Sequence, residues 1–212
     1  MNAVRLGVTP CAVLDCESTG LSPSRDRVVE LAVVRLAPDG ELVSTWDSLV
    51  DPERDPGPTH AHGLTSADLH GAPVFADIAP ELAEQLDGAV VCAHNVNFDS
   101  SFLRYEFWRL GYFAPRYPLL DTVRAAYRLG RIAPGGSRRL DHLCAQEGIR
   151  IQGAHSALGD ATATAALVRV YLHLAAARGW DFADLAVAPL ALGESSVTEP
   201  CTETKAVRRR AT

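Results

Sequence analysis

The sequence predicts a mixed α/β fold, with one central sheet flanked by helices. Two observations predict it: three strand-like stretches come first, and helical stretches then alternate with short strands. The length of 212 residues fits a single hydrophobic core, because such cores need not divide below about 250 residues. We therefore expect one main domain with one functional site.

The first three strands are predicted from apolar runs that end at turn residues. The run 11–17 leads into Ser18-Thr19-Gly20, a typical turn sequence. The run 27–37 is rich in Val and Leu, and after the turn Pro38-Asp39-Gly40 the chain returns as the run 41–50. We expect these three strands to pair antiparallel.

The later elements alternate between helix and strand. An amphipathic helix that stops at Gly88 is predicted from apolar residues at four-residue intervals, namely Val74, Ile78, Leu82 and Leu86. Short strands are predicted at 89–93 and 118–120. Further helices are predicted at 97–110, 122–130, 140–146 and about 156–178.

Two regions are predicted along the chain. Residues 1–180 form the domain, and residues 181–212 form a C-terminal tail. From about residue 192 the apolar pattern gives way to Ser, Thr, Glu and three terminal arginines, so we expect disorder there. The arginines at 208–210 are interpreted as part of a solvated tail.

Composition narrows the class of protein. No apolar run approaches the roughly 20 residues that span a bilayer, and the N-terminus lacks the pattern of a signal peptide, so we expect a cytoplasmic protein. The five cysteines contain no C-x-x-C pair, so neither a disulfide framework nor a thiolate zinc site is indicated. We expect the cysteines to be reduced.

The net charge bears on nucleic-acid binding. A formal charge of −6 argues against a broad basic surface for polyanions. Metal ions held by carboxylates would instead supply local positive charge.

Asp15 and Glu17 are the first candidate ligands. Two positions apart on a strand, their side chains project from one face about 7 Å apart. The common alternative is that two such acids lie on a solvated strand face and bind no metal. Here Ala12, Val13 and Leu14 look buried, and acids beside an apolar core need compensation of their charge.

Two later segments supply further candidates. Asp99 lies in the first turn of a predicted helix, where the dipole favours its charged form. Asn95 offers a donor and an acceptor at the same strand end, and Phe98 either stacks on a base or packs in the core.

His155 precedes the last long helix, and Asp160 lies in the first turns of that helix. This spacing favours a histidine on the entering loop and a carboxylate on the helix. Because imidazole ordinarily titrates at about pH 6.5, it suits a general base, although a surface histidine is the commoner case. Hard oxygen ligands in such a set suit Mg²⁺ or Mn²⁺, and two ions about 3.5–4 Å apart stabilise attacking and leaving oxygens.

Four motifs resemble those of the DnaQ-like DEDDh exonucleases. They are Asp15-Cys16-Glu17-Ser18-Thr19-Gly20-Leu21, His62-Gly63-Leu64-Thr65, His94-Asn95-Val96-Asn97-Phe98-Asp99 and His155-Ser156-Ala157-Leu158-Gly159-Asp160-Ala161. Their order and spacing agree from about residue 9 to residue 178. The resemblance implies an RNase H-like fold with a central mixed five-stranded sheet, and 3′-to-5′ exonuclease activity that yields nucleoside 5′-monophosphates.

The resemblance also implies a role for each matched residue. Asp15, Glu17, Asp99 and Asp160 would hold two Mg²⁺ or Mn²⁺ ions, and His155 would be the general base. The terminal nucleotide would contact Ser18, Thr19, Gly20, Leu21, His62, Asn95 and Phe98. Glu30, inside an apolar strand, is interpreted as a structural acid with a hydrogen-bonded partner.

Several functions are compatible with these residues. The leading one is hydrolysis of single-stranded 3′ ends, with DNA as the preferred substrate, as in the proofreading subunit of bacterial replicative polymerase. That resemblance would make a polymerase or another replication or repair protein a partner. The alternatives are trimming of RNA 3′ ends or degradation of short oligonucleotides and, more remotely, a non-catalytic binding module.

Overall fold

The computed structural model of the chain describes residues 8–114 and 116–187. One mixed sheet has the strand order β3-β2-β1-β4-β5-β6. Its strands are β1 (Cys11–Ser18), β2 (Val28–Leu36), β3 (Leu42–Leu49), β4 (Val90–Ala93), β5 (Leu119–Asp121) and β6 (Ala186–Val187). The predicted mixed five-stranded sheet is therefore confirmed, and the two-residue β6 extends it.

Helices flank the sheet as predicted, with ends that differ by one or two residues. They are α1 (Thr59–His62), α2 (Phe75–Leu86), α3 (Val96–Arg109), α4 (Thr122–Arg128), α5 (Leu140–Gln146), α6 (Ala157–Ala177) and α7 (Phe182–Leu185). The four-residue helices α1 and α7 were not predicted, because so short a segment carries no periodicity to detect. Among the described residues, no helix is both long enough and apolar enough to cross a membrane.

The strand pairing is antiparallel on one side of β1 and parallel on the other. β1 pairs antiparallel with β2, and β2 pairs antiparallel with β3, which confirms the predicted three-stranded unit. β1 then pairs parallel with β4, and β4 pairs parallel with β5. The carboxyl ends of β1, β4 and β5 consequently meet at one edge of the sheet.

A hydrophobic cluster covers each face of the sheet. One cluster lies under α4, α5 and α6, and the other lies under α2 and α3. Because successive side chains of a strand point to opposite faces, Val13 of β1 enters the first cluster and Leu14 enters the second. Burial on both faces explains why β1 and β2 are nearly continuous apolar runs in the sequence.

A buried acid ties α3 to the start of β2. Glu106 is 1% exposed, and its Oε1 accepts hydrogen bonds from Arg27 Nε at 2.9 Å and from the Val28 backbone N–H at 3.1 Å. Arg109 lies 3.3 Å from the same oxygen. These contacts fix α3 against the loop that joins β1 to β2.

The sheet continues beyond residue 180. Leu185 of α7 is 1% exposed within the first hydrophobic cluster, and β6 pairs antiparallel with β5. The boundary at residue 180 stays a prediction, and the tail predicted from about residue 192 lies outside the described residues. Of the five cysteines, Cys201 lies there too, whereas Cys11, Cys16, Cys92 and Cys144 are buried free thiols.

Candidate active site

The predicted site residues converge on the edge where the parallel strands end. Asp15 and Glu17 lie in the carboxyl-terminal half of β1, and Asn95 and Asp99 follow β4. The amino-terminal end of α6 reaches the same edge and brings Asp160 in its first turn. Segments that lie more than a hundred residues apart in sequence therefore form one cleft.

Three carboxylates form a compact cluster in this cleft. One oxygen each from Asp15, Glu17 and Asp160 lies within 4.8 Å of the others. All three side chains are half-buried. Asp15 and Glu17 point to the sheet face that α6 covers, as their spacing of two predicted, and α6 supplies the third acid.

Asp99 approaches β1 from the opposite face. It is 3% exposed, lies in the first turn of α3, and its Oδ1 accepts the backbone N–H of Cys16 at 3.1 Å. Asp99 is not one of the three clustered acids. Its charge nevertheless raises the pKa of Asp15 more than the charges of Asp160 and Glu17 do, after the larger effect of burial. The charge of Asp99 therefore acts on Asp15 together with the charges of the clustered acids.

The acids of the cleft are held in an environment that disfavours their charge. Burial and neighbouring carboxylates raise the pKa of Asp15 well above its usual range and that of Glu17 to about 8. Burial raises the pKa of Asp99 to about 7, against the opposing effect of its hydrogen bonds with Cys16. In the part of the chain that the structure describes, no arginine or lysine forms a salt bridge with these acids or with Asp160.

This donor set fits a divalent cation. Carboxylate oxygens are the ligands that Mg²⁺ and Mn²⁺ prefer, and a bound cation would reduce the repulsion between the clustered carboxylates. The alternative way to relieve the repulsion is protonation of the carboxylates, as their raised pKa values indicate.

His155 lies directly beside the cluster, on the loop before α6. Burial raises the pKa of Asp160. The charge of His155 and a hydrogen bond from its backbone N–H to the Asp160 carboxylate oppose that shift. His155 has a left-handed backbone with φ of 66°, an uncommon conformation for a residue other than glycine. Its side chain is exposed, so the imidazole is accessible to water and substrate.

The loop that carries His155 is closely fixed to α6. Ser156 caps the helix by accepting the Gly159 backbone N–H at 3.2 Å, and its hydroxyl donates to the Gly153 carbonyl at 2.7 Å. The interpretation of Glu30 as a structural acid is confirmed, because its Oε2 accepts the Ala157 backbone N–H at 2.9 Å. Glu30 also pairs with Glu17 in the register of β1 and β2, so it adds negative charge beside the cluster.

The turn after β1 carries four of the predicted substrate contacts. The Ser18 hydroxyl donates to the Gly20 carbonyl at 2.7 Å, and Thr19 Oγ1 accepts the Arg27 backbone N–H at 3.0 Å. A Cβ on Gly20 would lie 2.5 Å from a carboxylate oxygen of Asp26, so a larger residue would have to displace this side chain, which accepts the Ser22 backbone N–H. Leu21 is 86% exposed at the tip of this turn.

The other predicted substrate contacts differ in how accessible they are. His62 is 4% exposed, and its ring bonds to the backbone on both sides: Nδ1 accepts from Leu64 N–H at 3.1 Å, so Nε2 donates to the Pro56 carbonyl at 3.2 Å. Asn95 is exposed and left-handed, with φ of 74°. Phe98 is half-buried and packs against Phe102, with ring centroids 4.9 Å apart.

Two residues at this edge had no role in the sequence interpretation. His94 follows β4, and its ring bonds to Thr122 Oγ1 at 2.8 Å and to the Arg138 carbonyl at 2.7 Å. Asp121 ends β5 and accepts the Val123 backbone N–H at 2.8 Å, and its charge contributes to the raised pKa of Asp99. The detectable signal for both was a polar residue directly after a predicted short strand.

A comparison with protein families finds one match that covers most of the chain. The RNase_T family model, described as an exonuclease, matches residues 12–168. This range contains all the candidate ligands, the histidine and the predicted substrate contacts.

Curated relatives match over much of this chain but over little of their own length. The DNA polymerase III subunit epsilon-like protein of Rhodobacter capsulatus is 38% identical over 175 residues, which is 79% of this chain and 24% of that protein. A PolC-type DNA polymerase III of Oceanobacillus iheyensis is 33% identical over 164 residues, which is 74% of this chain and 11% of that protein. The chain thus spans about a quarter or less of these relatives.

Solved structures share the fold. Exonuclease X in complex with 5′ overhanging duplex DNA has a TM-score of 0.65 and 26% identity, and the match covers 82% of this chain and 96% of that one. Exonuclease I of E. coli in complex with a dT13 oligonucleotide has a TM-score of 0.70 and 22% identity, over 81% of this chain and 42% of that one. The predicted RNase H-like exonuclease fold is confirmed by these similarities.

Proposed function

Since this chain belongs to the RNase_T exonuclease family, the DnaQ-like group that its motifs resemble, we propose that it is a 3′-to-5′ exonuclease acting on single-stranded ends. The observation that carries the proposal is the meeting of Asp15, Glu17 and Asp160 within 4.8 Å of one another, beside an accessible His155. Those are the residue types that metal-assisted phosphodiester hydrolysis requires.

Four acids would hold the metal ions. Asp15, Glu17 and Asp160 would hold one divalent cation, and Asp15 and Asp99 would hold a second one. The charge of Asp99, which raises the pKa of Asp15, supports the grouping of these two acids. Two such ions, Mg²⁺ or Mn²⁺, supply positive charge for the attacking water and for the leaving oxygen when they are bound.

The chain's own residues would position the reacting groups and move one proton. The imidazole of His155 would take a proton from water, whose oxygen attacks the terminal phosphorus. The bond between that phosphorus and the 3′ oxygen of the preceding nucleotide breaks, and the 3′ oxygen takes up a proton. The products are a nucleoside 5′-monophosphate and a strand shorter by one nucleotide.

The turn after β1 and the start of α3 would hold the terminal nucleotide. Ser18, Thr19 and Gly20 fix the shape of the turn, which leaves Leu21 exposed for contact with a base. The exposed Asn95 and half-buried Phe98 lie at the end of β4, at the same sheet edge. His62 would contribute the shape of the pocket, because both of its ring nitrogens already bond to the backbone.

The preferred substrate in this proposal is single-stranded DNA. The similar structures support it, since one is a complex with a dT13 oligonucleotide and another is a complex with 5′ overhanging duplex DNA. A partner from DNA replication is supported by the name of the epsilon-like relative.

The decisive experiment measures release of 5′-mononucleotides from 3′-labelled single strands of DNA and RNA, with Mg²⁺ or Mn²⁺. We expect DNA to be shortened from its 3′ end, and Asp15→Ala to abolish release. Faster hydrolysis of RNA would favour the RNA-trimming alternative. If wild-type protein shortens neither polymer, the enzymatic proposal is wrong.

A further inference from the structure

One exposed face of α3 combines aromatic and arginine side chains in a protein whose net charge is negative. Side chains at intervals of three, four and seven residues share a helix face. On α3 this face carries five residues, named here the α3 stripe: Asn97, Ser101, Arg104, Tyr105 and Trp108. Trp108 is 54% exposed, Asn97 is exposed, and the other three are partly exposed.

The aromatic and cationic groups of the stripe contact one another. The rings of Tyr105 and Trp108 lie 6.3 Å apart, edge to face, and the Arg104 guanidinium lies 5.5 Å from the centre of the Tyr105 ring. The Arg109 guanidinium lies 6.0 Å from the centre of the same ring. These contacts hold flat apolar surfaces beside positive charge.

The stripe presents no negative charge. The acids of α3 are Asp99 and Glu106, which are 3% and 1% exposed, and Glu106 is paired with Arg27 and Arg109. With a net charge of −6 for the whole chain, a helix face whose charged side chain is an arginine is complementary to a polyanion.

The stripe begins at the end of α3 that lies at the candidate active site. It begins in the turn of α3 that contains Asp99, and at 1.5 Å per residue it extends about 16 Å from Asn97 to Trp108. At roughly 3.4 Å per stacked nucleotide, that length accommodates at most about five nucleotides. The β1–β2 loop, with exposed Leu21, lies along the same helix, because Arg109 donates to the Pro23 carbonyl at 2.8 Å.

We propose that the α3 stripe binds the single strand behind the terminal nucleotide, with bases against Tyr105 and Trp108 and a phosphate near Arg104. Stacking on aromatic side chains beside arginine is how proteins bind single strands without regard to sequence. This inference rests on the proposed exonuclease function and adds to it a dependence on strand length. Aromatic and arginine residues would also suit a protein partner. Such a partner, however, would not require a surface that begins beside the active site.

The test compares the affinity for a ten-nucleotide strand with the affinity for a dinucleotide. The strand carries terminal phosphorothioate linkages, which slow its hydrolysis, and fluorescence anisotropy gives the dissociation constant. We expect Trp108→Ala to weaken binding of the long strand by roughly 5- to 100-fold, as loss of one stacked base does. The exposed Tyr127 on α4, which packs on the other face of the sheet, supplies the matched control Tyr127→Ala, for which we expect less than a twofold change.

The dependence of strand affinity on salt concentration is a second measurement. It would not change if Arg104 had a purely structural role. For a single strand, loss of one phosphate contact lowers the slope of log K against log salt by about 0.7. We expect Arg104→Ala to lower the slope by that amount and Arg128→Ala, on α4, to leave it unchanged.

Three results would overturn the proposal. The first is an equal loss of strand affinity in Trp108→Ala and Tyr127→Ala, and the second is an equal loss of affinity for the dinucleotide and the long strand in Trp108→Ala. The third is a Trp108→Ala variant with unchanged strand affinity but altered self-association. The last result would assign the stripe to a contact between copies of the chain. Failure of the exonuclease function is a separate outcome, because it would appear as no hydrolysis of unmodified strands by wild type, whatever their affinity.

Discussion

Individual residues of the candidate site are buried or half-buried acids, and in the described part of the chain none of them forms a salt bridge with an arginine or a lysine. Asp15, Glu17 and Asp99 all have raised pKa values because burial and mutual repulsion disfavour their charged forms. An acid whose pKa is higher in the folded than in the unfolded state makes the folded protein bind more protons. Stability is then present in full below the unfolded pKa and is lost as the pH rises through the folded pKa.

A dependence of stability on pH and metal follows. In a chelator we expect the melting temperature to fall as the pH rises from 5 to 8.5, through the pKa of about 7 for Asp99 and about 8 for Glu17. A loss of 1–2 kcal/mol corresponds to roughly 2–8 °C for a chain of this size. Mg²⁺ should restore more stability at pH 8.5 than at pH 5, and Glu17→Gln should flatten the pH dependence. Thermal melts that are flat or rise with pH in the chelator would contradict the argument.

His155 is predicted to move a proton and not to bind metal. We expect His155→Ala to lower kcat by about 10² to 10⁴, the usual contribution of a general base. Stabilisation by Mg²⁺ should persist, because the carboxylates remain. His173→Ala, at an exposed position of α6, is the control and should keep wild-type kcat. An unchanged kcat in His155→Ala would remove this residue from the mechanism.

At the scale of elements, the amino-terminal end of α6 is the point that assembles the site. It carries Asp160, and the backbone N–H of Ala157 in its first turn donates to the Glu30 carboxylate. The loop before it carries His155. The close approach of that loop depends on Gly159. A Cβ there would lie 2.0 Å from the Gly153 carbonyl oxygen and 2.7 Å from that of Gln152.

Gly159→Ala should therefore disturb both stability and catalysis. The added methyl group meets backbone that has to move, so we expect a loss of roughly 1–3 kcal/mol, as for overpacking of a core. The displaced loop carries His155, so kcat should fall as well. Urea unfolding and single-turnover kinetics measure the two effects, with Thr162→Ala on the exposed face of the same helix as the control. Wild-type kcat in Gly159→Ala would show that the loop position does not govern the chemistry.

At the scale of the whole molecule, the sheet joins two cores through its central strand. β1 lies between the antiparallel strands and the parallel strands, and its side chains enter both hydrophobic clusters. The site lies at the end of this strand, where α6 from one face and α3 from the other come together. The rigidity of the site therefore derives from both halves of the protein.

The extent of the folded unit is tested by two truncations. Removal of residues 193–212 should leave the free energy of unfolding and strand affinity unchanged. Removal of 181–212 also deletes β6 and the buried Leu185, which alone contributes about 1.5–3 kcal/mol. Chemical denaturation distinguishes the two variants. Equal stability of both would place the boundary at residue 180, as the sequence predicts.

The order and type of the long elements follow from sequence alone, because hydrophobic periodicity and turn residues are local properties. The sequence also placed Asp15 and Glu17 on one strand face, since a spacing of two fixes that relation within any strand. The motif order then identified the family, before any contact was known.

The packing of helices across the sheet determines which acids meet and from which side. Asp160 joins Asp15 and Glu17 on one face of β1, whereas Asp99 reaches the Cys16 backbone from the other face. The short elements α7 and β6 also depend on tertiary contacts, because segments of two to four residues form through pairing and burial and carry no periodicity of their own. A sequence records the spacing of residues along the chain, but the distance between two carboxylates depends on how helices pack across a sheet.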